Sequence, residues 1–495
     1  MLKIYRSLVA NTTDIIYLGL LLVSIVVGNF VLKIDGVQRR KTFCTLFGAL
    51  LVVLVSGRHA VHSMLVTTVN AFIIVMCPSK HRAKVSFVFC FGYLMYFKYL
   101  KMFSPTPPPE ITNCIQMMLT LKMAGLAMEL QIIREEHSPE PSEKQAYEEG
   151  EMDLGFWDVF HYAFCYVGVL VGPYYRYRTY RDFFNAPFLQ MVDRKSKCLQ
   201  RFKVLPIYAL MWIALNRLFP ADHVDTEEFY GHGLAYKLLY LSPVFLIFRL
   251  RLYMGFVLGE CVCIAAGLGC YPARSTPVPG AGPTNVPGLL HVWQGKSGPW
   301  AEEEFSYETV HNVQEAQAEL SVSMRQGIRS WNRTVQYWLA VYFYKRLPLP
   351  KPLRQLCPFF LHLSMVILLL ALGTAPQKTL LTMSLSAIWH GLQPGYFLCL
   401  VTSTAFLFAE EQLDVVWRSL KGAHLRLAFQ FVQWFLKMQS FTYMLAAFLL
   451  LDLSRVYRYY REVYFLGHVY VVCLLLWRVA SGRRRNAEQG QQKKD

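Results

Sequence analysis

The sequence predicts an all-α, polytopic integral membrane protein. Of its 495 residues, 54% are hydrophobic, and mean hydropathy is +0.28. Apolar runs near the length that carries a helix across a bilayer, about 20 residues, recur along the chain. They are continuous rather than alternating in polarity, which excludes a strand-built barrel. A single membrane domain over 1–495 is expected, with about 11–13 transmembrane or re-entrant helices.

Charge supports that class. Fifty Lys and Arg against 33 Asp and Glu leave +17. In a soluble protein such a surplus would suggest nucleic acid. Here the basic residues sit in short loops and read as topology, so no nucleic-acid partner is expected. Lys33, Arg39, Arg40 and Lys41 follow the first apolar run, and Lys80, Arg82 and Lys84 follow the third. The tail 481–495 carries Arg483, Arg484, Arg485, Lys493 and Lys494. These segments are expected to be cytosolic, with the N-terminus on the far side. Some of the charges can also face anionic lipid heads or a phosphate-bearing substrate. The 12 cysteines are scattered. No pair has zinc-ligand spacing and no disulfide framework is evident, so no metal is expected.

Taken in order, the first run, 15–32, is long, lacks a small-residue cleavage site and reads as an anchor. Spans follow near 43–56, 61–77 and 85–100, and prolines at 105 and 107–109 stop the helix. The next run, 112–131, places Lys122 and Glu129 on one helical face. A polar cavity wall is one reading; an interfacial helix with a solvated face is the preferred one. Residues 134–153 form an acidic hydrophilic loop, expected to be mobile and not a site. A run at 156–171 ends in Gly-Pro-Tyr-Tyr-Arg-Tyr-Arg-Thr-Tyr. Tyr174, Arg176, Tyr177 and Arg178 there can stack on rings and hold phosphate, or form an aromatic belt with snorkelling arginines. After 204–219 comes 238–268, too long for one upright crossing; it can tilt, extend past the membrane, or break near Gly255 or Gly259. It carries Glu260, a candidate buried carboxylate. Residues 271–302 are rich in Pro and Gly and read as a linker or surface loop.

From 305 to 345 the character changes. Arg325, Arg329, Arg333 and Gln336 recur near i, i+4 and are expected to form a basic and polar stripe along one helix, with Trp338 on the other side. Such a helix can lie at the interface or line a groove for a long anionic ligand. The last apolar runs are near 357–373, 378–390, 395–411, 428–451 and 463–480. Between two of them stands 385–396, Leu-Ser-Ala-Ile-Trp-His-Gly-Leu-Gln-Pro-Gly-Tyr. Its His390 is expected at membrane depth, where a polar side chain is costly and needs a reason. Pro394 and Gly395 break the helix just after it. The structural alternative is a hydrogen-bonded histidine beside that break.

Two motifs now become specific. Trp-Asn-x-Thr-Val-Gln-x-Trp-Leu stands at 331–339 and Ser-Ala-x-Trp-His-Gly-x-x-Pro-Gly-Tyr at 386–396. Together they resemble the membrane-bound O-acyltransferase family. The runs 172–180, 245–269, 307–310 and 434–438 resemble its lysophosphatidylinositol acyltransferase branch. The resemblance implies helices surrounding a catalytic chamber. It implies transfer of a polyunsaturated acyl group, arachidonoyl above all, from acyl-CoA to the sn-2 hydroxyl of lysophosphatidylinositol, in the endoplasmic reticulum membrane. Acyl-CoA is then a co-substrate, and no cofactor is expected. The remaining readings are another acceptor within the family and a membrane transporter; few charged residues are available to pair across spans, which disfavours the transporter.

The chemistry of the residues agrees with that implication. A hydroxyl attacks a thioester once a base takes its proton, and histidine titrates in the right range. An uncharged amide can donate to the oxyanion or orient the substrate. His390 is thus expected as general base and Asn332 as its polar partner. No Gly-x-Ser-x-Gly elbow supplies a nucleophile, which favours direct transfer. Arg325, Arg329, Arg333, Lys345 and Arg346 are candidate partners for CoA phosphates, with Gln336 and Trp338 beside them; Tyr174, Arg176, Tyr177 and Arg178 are candidates for the inositol phosphate. One departure from the family is the spacing. Fifty-seven residues lie between Asn332 and His390, including an extra apolar segment, 357–374. A hairpin, an in-plane helix or a non-native exon product would each account for it.

Overall fold

The structure is a computed structural model that describes residues 2–136, 142–150, 154–295, 303–347 and 374–491. The extra segment 357–374 lies outside the described residues, save Thr374. The chain divides into two compact units. The first holds Met1–Tyr208, Leu252–Val313 and Asn332–Tyr342; the second holds Ala209–Arg251, Gln314–Trp331 and Phe343–Asp495.

The first unit starts with four long helices, α1 Leu2–Val31, α2 Val37–Ser56, α3 Ala60–Met76 and α4 Ser79–Phe103. Each ends close to where its apolar run ends, at a Gly, a Pro or a turn, but α1, α2 and α4 begin earlier than their runs, at Leu2, Val37 and Ser79. Next comes α5, Glu110–Glu135, which packs on α2, α3 and α4. Eighteen of its residues are buried. This corrects the expected solvated face: Lys122 and Glu129 are each 1% exposed. Lys122 Nζ donates to Tyr175 Oη at 2.9 Å, and Glu129 accepts from Tyr174 Oη at 3.2 Å and Tyr342 Oη at 3.1 Å. Both charges are tolerated inside because hydroxyl partners meet them.

The expected acidic loop also contains structure. Helix α6, Glu143–Glu149, begins on a Ser142–Gln145 capping box. Its Glu148 meets Arg176 at 2.8 Å and Arg178 at 2.7 Å. After α7, Phe156–Ala163, come α8, Tyr177–Asn185, and α9, Arg194–Phe202.

Two helices run across the sequence boundary between the units: α10, Leu205–Leu218, and α12, Leu234–Ala266, with the short α11, Glu227–Gly231, between them. Helix α12 continues through Gly255 and Gly259 without a break, although Pro243 lies inside it. Its 33 residues span about 50 Å, more than the ~30 Å hydrocarbon core. The described residues of the Pro/Gly-rich stretch form regular structure. Two short antiparallel pairs, Tyr271–Pro272 with Phe305–Ser306 and Pro277–Val278 with Gly282–Pro283, flank α13, Val286–Trp293.

Helices α14, Glu315–Leu320, and α15, Met324–Arg329, belong to the second unit, and α16, Arg333–Trp338, to the first. The expected single helix with a continuous basic stripe is therefore interrupted at Ser330–Asn332. The second unit continues with α17 Thr374–His390, α18 Pro394–Ala409, α19 Glu411–Ser419, α20 Ala423–Leu450, α21 Leu453–Glu462 and α22 Leu466–Gln491. Its core gathers Leu241, Phe406, Tyr443, Met444, Tyr459 and Val471.

Among the described residues, three helical stretches are long and apolar enough to cross a membrane: Val37–Met76, Arg194–Asp225 and Leu234–Ala266. Along the first, Leu46, Leu50, Leu54, Val61, Leu65 and Phe72 are exposed. Such a surface suits lipid rather than water.

In the second unit, Gly395 at the start of α18 is packed against backbone. A Cβ there would lie 2.1 Å from the Ala447 carbonyl oxygen and 2.7 Å from Leu451 Cα, both backbone atoms that cannot swing away. Gly395→Ala is expected to destabilise the protein by about 1–3 kcal/mol, the usual cost of overpacking. Gly92→Ala, where nothing lies within 4 Å, is the neutral control. Thermal unfolding in detergent measures both; equal midpoints would refute the steric account.

Candidate active site

The two motif residues belong to different units and are described in turn. His390 is the last residue of α17, and α18 restarts at Pro394. Proline suits that first helical position because its missing N–H would be an orphan anyway. The Gly395 N–H donates to the Leu451 carbonyl at 2.9 Å, tying the restart to the end of α20. The imidazole is half-buried among aromatic rings. Tyr396 stacks at 5.9 Å between centroids and 28°, Phe448 meets it edge-on at 5.2 Å, and Trp389 lies at 4.9 Å. These contacts set the ring's plane at an interrupted helix end.

Asn332 precedes α16 in a left-handed conformation, φ 44° and ψ 50°. Asparagine is among the few side-chain-bearing residues that adopt it readily. Its carbonyl accepts from the N–H groups of Val335 and Gln336, both at 3.1 Å. Its side chain makes no capping bond. The next two residues are held by Asn312. The Arg333 N–H donates to the Asn312 carbonyl at 2.8 Å, and Thr334 Oγ1 donates to Asn312 Oδ1 at 2.7 Å.

Glu260 is buried, as the sequence suggested, at 2% exposure. It accepts from Arg201 Nε at 2.6 Å and from the Asn312 N–H at 2.8 Å. A cavity of about 430 Å³ opens here, lined by Lys197, Arg201, Glu260, Tyr307, Glu308 and His311 among others. Sequence reasoning missed Asn312, Glu308 and His311. The only signal was the Tyr-Glu-Thr-Val run at 307–310, noted for resemblance and not for chemistry.

The other expected contacts separate into groups. Arg325 is exposed and pairs with Glu411 at 2.7 Å, and Arg329 and Lys345 are exposed. Arg333 pairs with Glu308 at 2.7 Å. Gln336 is half-buried on α16. Trp338 is fully buried and donates its indole N–H to the Leu121 carbonyl at 2.9 Å, so it packs the interior. Tyr174 and Tyr177 are buried. Arg176 meets Glu148 at 2.8 Å and Glu129 at 3.5 Å. These arginines are thus neither snorkelling nor loose; a headgroup role would require their ion pairs to open. In the second unit, the buried Lys437 donates to the carbonyls of Ala318 and Glu319 at 3.1 Å each, closing the end of α14. No group of three or more His, Cys, Asp or Glu that could hold a metal occurs among the described residues.

An all-helical membrane protein with a histidine at one helix break and an asparagine at another defines the class. Comparison with known proteins places it more closely. The sequence model of MBOAT, the membrane-bound O-acyltransferase family, matches residues 58–361. The chain is 32% identical to the membrane-bound acylglycerophosphatidylinositol O-acyltransferase of Danio rerio, covering 97% of each chain. Against the protein of the same name from Homo sapiens it is 33% identical over 96% of each. Against that of Drosophila melanogaster it is 33% identical over 92% of this chain and 90% of the other. The chain belongs to the membrane-bound O-acyltransferase family.

His311 and Glu308 give a pH prediction. Burial works to lower the His311 value, but the 2.9 Å bond to Glu308 and the charges of Glu260 and Glu308 outweigh it and raise it. Burial would raise the Glu308 value, but its bonds to His311 and Arg333 hold it low. A raised histidine contributes stability fully below its ordinary value and loses it as pH rises through the folded one. A depressed carboxylate contributes above its ordinary value and loses it as pH falls through the folded one. The pair should therefore stabilise most between about 4.5 and 6.5. The difference in thermal midpoint between the native protein and His311→Gln should be largest in that window and shrink above it. A difference constant with pH would contradict the ion pair.

Proposed function

We propose that the chain is an acyl-CoA-dependent lysophospholipid O-acyltransferase of the endoplasmic reticulum membrane. Its acceptor is the sn-2 hydroxyl of lysophosphatidylinositol and its donor a polyunsaturated acyl-CoA, arachidonoyl-CoA above all. The observation that carries this is near-full-length similarity to proteins named acylglycerophosphatidylinositol O-acyltransferases. The position of His390 at an interrupted helix, among aromatic rings, supports its role.

In the proposed reaction the His390 imidazole takes the hydroxyl proton as the oxygen attacks the thioester carbonyl. The carbonyl oxygen becomes an oxyanion, and the Asn332 amide donates to it or orients the substrate. The carbon–sulfur bond then breaks, and the CoA thiolate receives the proton from the imidazolium. Products are phosphatidylinositol and CoA. Exposed Arg329 and Lys345 are the readier partners for CoA phosphates, because Arg325 and Arg333 already meet carboxylates.

Purified full-length protein in detergent should be given arachidonoyl-CoA with lysophosphatidylinositol, lysophosphatidylcholine or lysophosphatidylserine. Transfer to the inositol lipid is expected to dominate. His390→Ala should lower it by about 10²–10⁴-fold, the range for a lost general base. Preference for the choline or serine lipid would move the acceptor within the family. Undiminished transfer by His390→Ala would remove the base assignment.

A further inference from the structure

A buried carboxylate can act on chemistry without touching substrate if it sets the backbone that carries a reacting group. Glu260 lies near the C-terminal end of α12 and is 2% exposed. Its Oε2 accepts from Arg201 Nε at 2.6 Å. Its Oε1 accepts from two successive amides, Asn312 N–H at 2.8 Å and Val313 N–H at 3.4 Å. The two short bonds, from Arg201 and from the Asn312 N–H, hold the turn at 312–313, with the longer Val313 contact beside them.

Asn312 passes that constraint on. Its carbonyl accepts from the Arg333 N–H at 2.8 Å. Its Oδ1 accepts from Thr334 Oγ1 at 2.7 Å and from the Thr334 N–H at 3.4 Å. The Thr334 hydroxyl accepts in turn from the Tyr174 N–H at 3.0 Å. Residues 333–334 are therefore bound from two sides, and Thr334 is fully buried. One residue earlier, Asn332 stands at φ 44°. A left-handed residue with a side chain persists where its surroundings over-determine it, and the bonds to Asn312 do so here. The consequence concerns the Asn332 side chain. An asparagine before a helix ordinarily turns its side-chain oxygen onto the first helical amides. Asn332 makes no such bond.

We propose that Glu260 is a positioning residue for Asn332, acting through Asn312 and Thr334, so that the Asn332 carboxamide is presented to the reacting acyl group instead of its own helix. This rests on the reading of Asn332 as a partner in acyl transfer. It adds Thr334 as the last link, and it gives the carboxylate a role separate from substrate binding.

The test is steady-state kinetics on the full-length protein with arachidonoyl-CoA and lysophosphatidylinositol, with Asn332→Ala measured alongside. Thr334→Val keeps the shape and removes the hydroxyl. It should lower kcat by roughly 10- to 100-fold, the scale of a misplaced reacting group, with both KM values unchanged. Thr334→Ser should restore most of the rate. Glu260→Ala should fall like Thr334→Val, and Glu260→Gln, which keeps an oxygen for the two amides, should fall less. In the Asn332→Ala background, neither Thr334→Val nor Glu260→Ala should lower the residual rate further. Equal losses in both backgrounds would mean a general structural role and overturn the proposal. So would an unchanged kcat for Thr334→Val where Asn332→Ala is impaired, and the acyl-transfer role of Asn332 would then stand without it. Full activity in Asn332→Ala would instead overturn that role and the proposal with it. If Glu260→Ala does not fold, the isosteric Thr334→Val still decides.

Discussion

A charge inside an apolar surround must be met by a partner, and much of this architecture follows from meeting it. Removing an ion from water costs several kcal/mol, and an unpaired one costs more than its partner's loss of freedom. Glu260 is met by Arg201 on α9 and by amides at 312–313. Glu129 is met by tyrosines 174 and 342 and by Arg176. In the second unit Arg249 grips Glu319 through two bonds, at 2.6 and 2.8 Å. Each partner lies far away in sequence. In lipid, apolar burial gives helices little reason to prefer one neighbour over another. Polar pairing therefore supplies much of the specificity by which loops settle on helices.

The helices were legible because their signal is local. A run of apolar residues extends until Gly, Pro or a turn ends it, and α1 to α4 end within about three residues of their runs, although α1, α2 and α4 begin earlier than their runs do. The break after His390 was legible for the same reason, since Pro394 and Gly395 mark it in the sequence. Two expectations failed because a distant partner decides them, the solvated face of α5 and the solvated acidic stretch. Lys122 and Glu129 share one helical face whether that face meets water or protein. Only Tyr174, Tyr175 and Tyr342, far along the chain, decide between the two. The acidic stretch looked solvated because its basic partners, Arg176 and Arg178, lay outside the window.

The basic stripe failed differently. Its i, i+4 spacing is real, and Arg325 and Arg329 do share α15. The inference assumed helical backbone between Arg329 and Arg333. Asn332 at φ 44° breaks it, and that angle depends on bonds to Asn312 that no local pattern announces. Asparagine's tolerance of the left-handed region was the one clue, and it is weak by itself, because asparagine occupies ordinary backbone far more often.

That backbone angle also restricts which residue can serve there. Glycine, asparagine and aspartate enter the left-handed region with least strain. Glycine offers no side-chain donor. Aspartate would bring a negative charge toward a developing oxyanion and repel it. In the proposed reaction a lysine or arginine would stabilise the oxyanion but disfavour protonation of the imidazole base. Asparagine alone combines a tolerated backbone, a donor and no net charge. The strain that Asn312 and Glu260 impose and the chemistry proposed for the site thus select the same residue at position 332.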